Sequence, residues 1–323
     1  MKSKLILSAV VMVLLSLVFA TPVFGHDGWV QTNVSRVTVG DMVYVDLQFG
    51  NHQNMHRDYK IYGSKWDPTK STFTLHTPTD EAVDMSGSII DVGKDEAKTA
   101  GGVAYTDKNG YLVTSFQADQ KGTYIFDARQ DTVVSYAPER SIKCAKALVG
   151  AVQTSMKSNV GLTGFDRDLG QVLEIIPLKD LTMLQIGDTL PFMVMFKGAP
   201  LADAEVSVIP RGATLPEMGT PNPYDIMTDM DGMASFTFTE ANYHLIVVHV
   251  ETDESGVLNE KPYSFTKYTG DLTVIVGPPR LPSRSNGTPA GGMPAWIWPI
   301  AGVTVVATGA VGFPLLRRKA ATT

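Results

Sequence analysis

The chain has 323 residues and a formal net charge of −6, and hydrophobic residues make up 44 % of it. Five of its 27 lysine and arginine residues lie in the two ends, which hold no acidic residue, so the central part carries 22 basic and 33 acidic side chains. Such a surface attracts cations and repels nucleic acid and anionic lipid. The single cysteine, Cys144, excludes an intrachain disulfide and a cysteine-based zinc site.

Residues 1–25 are predicted to be a secretory signal peptide. Two lysines near the N-terminus precede an uncharged apolar run at residues 5–20. Cleavage after Ala20 or after Gly25 fits the preference of signal peptidases for small residues. The second cleavage makes His26 the first residue of the mature chain, and its α-amine and imidazole can then chelate one metal ion.

The region between residues 26 and 276 is predicted to be all-β. Apolar and polar side chains alternate in residues 43–49 and again in residues 190–196, which is the period of a half-buried strand. Turn-forming pairs such as Asp231-Gly232 separate these short runs at the spacing of a β-sandwich. No sustained helical period occurs in this region.

A weak internal repeat divides the region into two domains. Residues 106–116 and 228–238 each contain a Thr-Asp turn segment followed by a strand with a phenylalanine, at an offset of 122 residues. We therefore expect two related β-sandwich domains, at residues 26–150 and 172–276, with residues 151–171 as the linker between them.

The C-terminal end is predicted to anchor the protein in a membrane. Residues 277–293 are rich in Pro, Gly and Ser and are expected to form a flexible stalk. Residues 294–316 carry no charged side chain and are long enough to cross the bilayer as one helix. The positive-inside rule places the basic tail, residues 317–323, in the cytoplasm. The region between residues 26 and 276 then lies on the periplasmic or extracellular face of the cell membrane.

Three histidines are predicted to form a transition-metal site. His52 and His56 lie on the loop after the strand at residues 42–49, although two loop histidines alone are usually solvated surface residues. If residues 29–38 pair antiparallel with that strand across a tight turn, paired residue numbers add up to about 80, and His26 falls opposite roughly position 54. The chain start and the loop then meet at one edge. Such nitrogen donors suit Ni²⁺, Co²⁺, Cu²⁺ or Zn²⁺ and not Mg²⁺ or Ca²⁺.

The remaining ligands of this site stay open at the level of sequence. Met55, Asp27 and His249 are each able to complete it. His244 and His249 lie five residues apart on one predicted strand, so they point to opposite faces and cannot bind one metal together. We expect each of them to be a structural residue, with His249, near the end of the strand, left as the one that can join a shared site.

Seven segments together carry a resemblance to a known family: residues 26–29, 50–52, 141–147, 173–178, 187–188, 198–206 and 228–232. In these segments the chain resembles bacterial extracytoplasmic proteins of the nickel/cobalt transport accessory type. Such proteins are often described only as a domain of unknown function and are similar to the periplasmic accessory component of NikM-type transporters. The resemblance implies an Ig-like or transthyretin-like β-sandwich body, cleavage before His26 and a role in binding Ni²⁺ or Co²⁺. By position it implies His26 and His52 as ligands, whereas His56 depends on the geometry above.

Three functions are compatible with this sequence. The first is a membrane-anchored metal-binding protein that captures Ni²⁺ or Co²⁺ and passes it to transporter subunits. The second is copper handling at an N-terminal histidine site, because Cu²⁺ is highest in the affinity order of such ligands and Zn²⁺ also fits them. The third is a cell-surface adhesion or structural module without a metal. No GxSxG, P-loop, HExxH or dinucleotide motif is present, so no conventional enzyme activity is expected, and only redox chemistry at a bound metal stays open.

Overall fold

The computed structural model describes residues 27–50, 61–62, 66–100, 103–153, 161–214 and 222–279. These residues are all-β, as the sequence predicts, with short 3₁₀ turns at Ser86–Ser88 and Leu181–Met183. The N-terminal half contains β1 (Asp27–Thr32), β2 (Arg36–Thr38), β3 (Met42–Gly50), β4 (Ile61–Tyr62), β5 (Ser71–His76), β6 (Ala82–Asp84), β7 (Ile90–Asp91), β8 (Lys94–Ala100), β9 (Val103–Gly110), β10 (Leu112–Gln117), β11 (Gly122–Val133) and β12 (Glu139–Val152). The C-terminal half contains β13 (Leu173–Pro177), β14 (Thr189–Phe196), β15 (Ala199–Pro200), β16 (Glu205–Pro210), β17 (Asp225–Met227), β18 (Met233–Thr237), β19 (Tyr243–Thr252), β20 (Gly256–Leu258), β21 (Lys261–Tyr263) and β22 (Phe265–Ile275).

One large sheet runs through both halves of the chain. Its strand order is β17-β16-β19-β22-β12-β11-β5-β6, and β2 pairs with the end of β12. The halves are joined by the parallel pair β12 and β22, which runs from Glu139 opposite Phe265 to Ala147 opposite Thr273. The predicted linker therefore lies between two halves that share a continuous set of backbone hydrogen bonds.

Two cores lie on opposite faces of this sheet. In β12, Ala145 and Ala147 belong to one core and Leu148 belongs to the other, because successive residues of a strand point to opposite faces. The sheet β1-β3-β10-β7 covers the first face, and the sheet of β13, β14, β15 and β18 covers the second. The β-sandwich architecture is thus confirmed, in the form of two sandwiches that share their middle layer. The Ig-like or transthyretin-like topology and the domain limits stay predictions.

The strand pairing at the chain start differs from the predicted hairpin. β1 pairs antiparallel with β3, but partner numbers add up to 77, with Asp27 opposite Gly50, and β2 pairs parallel with β12 instead. The backbone amides of Val39 and Gly40 donate to Val152 and Ala118, so this segment takes its partners from elsewhere in the fold. The predicted tight turn is present, since the Asp41 amide donates to the Thr38 carbonyl oxygen, and the pairing of the first strand with β3 was right, whereas the predicted pairing of residues 36–38 with β3 was wrong.

The two predicted membrane-related segments, residues 1–25 and 294–316, and the basic tail lie outside the described residues. Within the part of the chain that the structure describes, no helix is long and apolar enough to cross a membrane.

His244 is a buried structural residue of β19. It is 2 % exposed, its ring lies edge-on to Phe238 at 4.9 Å between centroids, and its Nδ1 lies 3.3 Å from the Asn242 carbonyl oxygen. Burial lowers the pKa of the imidazole below its usual value, although the Asn242 contact and the charge of Glu240 oppose the shift. The folded protein therefore favours a neutral ring.

Acidification is expected to destabilise the protein through His244. The unfolded chain binds this proton with a pKa near the usual 6.5 and the folded chain binds it more weakly, so the contribution to stability is complete above that pH and is lost as the pH falls below it. His244→Gln should make the urea midpoint decline less between pH 7.5 and pH 5 than it does in the wild type. Equal declines in the two proteins would contradict this assignment.

Candidate metal centre at the start of the first strand

The predicted ligands His26, His52 and His56 all lie outside the described residues, as does Met55. The structure instead places their chain neighbours. Asp27 follows His26 directly, Gly50 precedes His52 by two residues, and the two are opposite each other in the β1–β3 register. The chain neighbours of two of the predicted ligands are thus adjacent, whereas the convergence of the ligands themselves stays a prediction.

Close packing fixes the start of β1 on the molecule. Trp29 is fully buried and packs against Leu245 and Val247 of β19. Because β19 belongs to the C-terminal half, β1 contacts both halves of the chain. Gly28 leaves little room for a side chain, because a Cβ there would lie 3.1 Å from the Trp66 ring and 3.2 Å from the Phe49 ring. The start of β1 is therefore a rigid position for any ligand attached to it.

The side chain of His249 contacts the first described residue of the chain. Its Nε2 lies 2.7 Å from Oδ1 of Asp27, and the two side chains are 45 % and 14 % exposed. With the proton on Nε2 donated to the carboxylate, Nδ1 keeps its lone pair, and this carboxylate–histidine arrangement is the one that orients imidazole ligands toward metals in proteins. Of the residues left open by the sequence, Asp27 and His249 are therefore brought together.

A row of polar side chains extends from His249 across the central sheet. Thr269 of β22 is the direct partner of both His249 and Lys143 of β12, and Gln130 of β11 is the next partner along the row. Thr269, Lys143 and Gln130 are all buried, and the Lys143 ammonium lies 5.3 Å from the centroid of the Phe49 ring. The sheet face near the start of β1 thus carries polar side chains that are mostly buried.

Asp271 lies in the neighbouring row of the same face, between Val247 and Ala145. It is 1 % exposed, and neither of its carboxylate oxygens has a hydrogen-bond partner in the structure. Burial raises the pKa of this carboxyl well above its usual value, the negative charge of Asp27 raises it further, and the positive charge of Lys143 opposes both. No local pattern singles out Asp271, because its Asp-Leu-Thr-Val context is that of an ordinary strand with an outward polar face.

The described side chains alone do not complete a metal site. No group of three His, Cys, Asp or Glu residues in the described ranges is arranged to hold a metal ion. Cys144 is buried, and burial raises the pKa of its thiol to about 11, so the thiol is protonated at neutral pH. Asp27 and His249 therefore form part of a possible ligand set, and the predicted site at His26, His52 and His56 stays a prediction.

A family model described as "Domain of unknown function (DUF4198)" matches residues 23–252. The chain belongs to the DUF4198 family. The match includes the start of β1, β3 and His249, so the whole arrangement around Asp27 lies within the family domain. The family description assigns no function.

No curated protein matches the chain in sequence. Among solved structures, the Ig1–Ig3 ectodomain of mouse nectin-like molecule 4 is 10 % identical, with 79 % of this chain and 66 % of that chain covered, at a TM-score of 0.18. The adhesin InvE of Yersinia pseudotuberculosis is 10 % identical, with 77 % and 58 % covered, at 0.17. The major pilin subunit BcpA of Bacillus cereus is 10 % identical, with 77 % and 70 % covered, at 0.20. Similarities at these TM-scores support no conclusion about topology or function.

Proposed function

We propose that this DUF4198 protein binds Ni²⁺ or Co²⁺ outside the cytoplasm and passes it to a membrane uptake system. The observation that carries the proposal is the contact of His249 with Asp27, which follows His26 in the sequence and is paired with Gly50, two residues before His52. Imidazole nitrogens and an amine are the borderline donors that such cations prefer. The acidic body would raise their concentration near the surface, and the predicted helix at residues 294–316 would hold the body at the membrane.

Copper handling is the second candidate, and one feature of the C-terminal half favours it. Met193 of β14 lies directly opposite Met233 of β18, and Met195 lies two residues further along the same face. All three are half-buried on the side of this sheet away from the core. Thioethers are soft ligands that select Cu(I). The three methionines of this face therefore suit copper better than nickel.

The mature protein that begins at His26 is expected to bind Ni²⁺ and Co²⁺ at one site. Retaining Gly25 turns the His26 amine into an amide and should weaken binding about tenfold or more, and His249→Gln should weaken it by about 10–100-fold. Titration calorimetry with Ni²⁺, Co²⁺, Cu²⁺ and Zn²⁺ in turn measures both effects. A clear preference for copper would favour the second candidate.

The matched control for these variants is His244→Gln, which removes a buried imidazole from the other face of the same strand. It should leave metal affinity unchanged. If none of the proteins that begin at His26 binds a metal, the metal function is ruled out. The remaining candidate is then a surface module without a metal.

A further inference from the structure

Lys146 and Glu174 form a fully buried pair of opposite charges. The Nζ atom of Lys146 lies 2.7 Å from Oε1 of Glu174, and both side chains are 1 % exposed. Burial lowers the pKa of the Lys146 ammonium, although the charge of Glu174 and its hydrogen bond oppose the shift. Moving one proton from Nζ to the carboxylate turns two buried charges into a neutral amine and a neutral acid, which removes the cost of keeping ions out of water.

The surroundings of this pair contain the groups that amide formation needs. A lysine amine taken out of water is a nucleophile, and the carboxyl group that it contacts is held at both oxygens. The backbone amides of Leu169 and Gln171 donate to Oε1 and Oε2 of Glu174, each at 3.0 Å. Such fixed N–H donors stabilise the negative charge that develops on a carboxyl oxygen when a nucleophile attacks the carbon. The reacting groups are thus oriented before a reaction starts.

Asp127 supplies a proton acceptor on the same face of the sheet. It is the direct partner of Lys146 across β11 and β12, and the Cβ atoms of such partners lie about 4.5–5.5 Å apart. Gln171 links it to Glu174, because the Gln171 Nε2 donates to Oδ1 of Asp127 at 2.7 Å. Burial opposes ionisation of Asp127, but the hydrogen bonds that it accepts, two of them from Arg129, hold its pKa below the usual value. The carboxylate is therefore able to take up a proton.

We propose that Lys146 and Glu174 condense into an intramolecular amide, with Asp127 as the proton carrier. After the ammonium has passed a proton to the carboxylate, Nζ attacks Cδ of Glu174 and the C–N bond forms. Asp127 takes one proton from the nitrogen and returns it to the hydroxyl group on Cδ. The C–O bond then breaks and one water molecule leaves, so the reaction needs no oxidant and no further reactant.

The amide joins the central sheet covalently to the sheet that covers it, since Lys146 lies on β12 and Glu174 on β13. The two residues are 28 positions apart, and a cross-link across such a loop restricts the unfolded chain as a disulfide does. A chain with a single cysteine has no intrachain disulfide for this purpose. The inference does not depend on the proposed metal function.

Mass spectrometry of a tryptic digest of the wild-type protein tests the proposal. The amide should yield one branched peptide that contains both Lys146 and Glu174 and weighs one water molecule less than the separate peptides together. Lys146→Arg keeps a positive charge beside Glu174 but offers no amine for the reaction, so this variant should yield separate, unmodified peptides. Lys197→Arg is the matched control. It replaces an exposed lysine that pairs with Glu254, and it should retain the branched peptide.

Asp127→Asn should lower the cross-linked fraction at least about tenfold in folded protein isolated soon after its synthesis, because a positioned proton acceptor speeds such a step by that much or more. A wild-type fraction in this variant would overturn the role of Asp127.

The inference as a whole is overturned if the wild type yields Lys146 and Glu174 only in separate peptides. It is also overturned if the loss of water maps only to another place, such as the Asp231-Gly232 turn. If Lys146→Arg does not fold, the digest of the wild type still decides between these results. None of them changes the metal affinity that tests the proposed function.

Discussion

Replacing Lys146 with methionine is expected to destabilise the protein by about 3–5 kcal/mol. The Lys146 ammonium lies 2.7 Å from Oε1 of Glu174, and both side chains are only 1 % exposed. Glu174 also accepts hydrogen bonds from the backbone amides of Leu169 and Gln171. Methionine fills a similar volume but leaves the Glu174 carboxylate in the core without its cation. Urea unfolding followed by tryptophan fluorescence measures the loss.

The Lys146–Glu174 pair connects the central sheet to the small sheet that covers it, since Lys146 lies on β12 and Glu174 on β13. The double variant Lys146→Met/Glu174→Gln should therefore be more stable than the sum of the two single losses predicts, because it leaves no uncompensated charge. Lys197→Met is the exposed control, as Lys197 pairs with Glu254 at the surface and should contribute little. Similar losses of unfolding free energy in Lys146→Met and Lys197→Met would contradict the claim that burial makes the Lys146–Glu174 pair costly to break.

Replacing Gly232 with alanine is expected to destabilise the protein by about 2–4 kcal/mol, from about 1 kcal/mol of backbone strain and about 1–3 kcal/mol of overpacking. Gly232 has φ +71°, in the left-handed region. A Cβ at this position would lie 2.8 Å from the carbonyl oxygen of Val194 and 2.9 Å from the amide nitrogen of Leu201. Both are backbone atoms, and the Val194 amide donates to the Gly232 carbonyl, so neither can easily move away.

Gly198→Ala separates the two contributions to the Gly232 effect. Gly198 has φ +79°, but no atom lies within 4 Å of the Cβ that it would carry. This variant should therefore lose only about 1 kcal/mol from the strained backbone. Equal losses in the two variants, measured by urea unfolding, would show that the contact with Val194 and Leu201 relaxes at no cost.

Local patterns were sufficient to predict the strands and some of the turns. The alternation in residues 43–49 corresponds to β3, in which Val43, Val45 and Leu47 are buried. The Asp231-Gly232 pair forms a tight turn in which Oδ1 of Asp229 accepts two backbone hydrogen bonds. These features follow from the sequence because side-chain periodicity and backbone preferences act over only a few residues.

The candidate site could be predicted only in part. The meeting of the first strand with the end of β3 was expected, because the two strands are close in sequence. The contact of His249 with Asp27 joins residues 222 positions apart, and no local pattern indicates which face of β19 meets β1. The ligands His26, His52 and His56 themselves stay predictions.

The sequence by itself determined that this protein is all-β, where several of its strands and turns lie, and which alternate residues of each strand share a face. Only the tertiary structure decided that β12 and β22 pair in parallel to join both halves in one sheet, and that β2 leaves the first hairpin for β12. It also decided that the polar face of β22 with Asp271 is buried, which its local pattern does not indicate. Pairing between distant strands depends on which faces can be buried together across the whole chain, and the free energy of that burial is not encoded in any short segment.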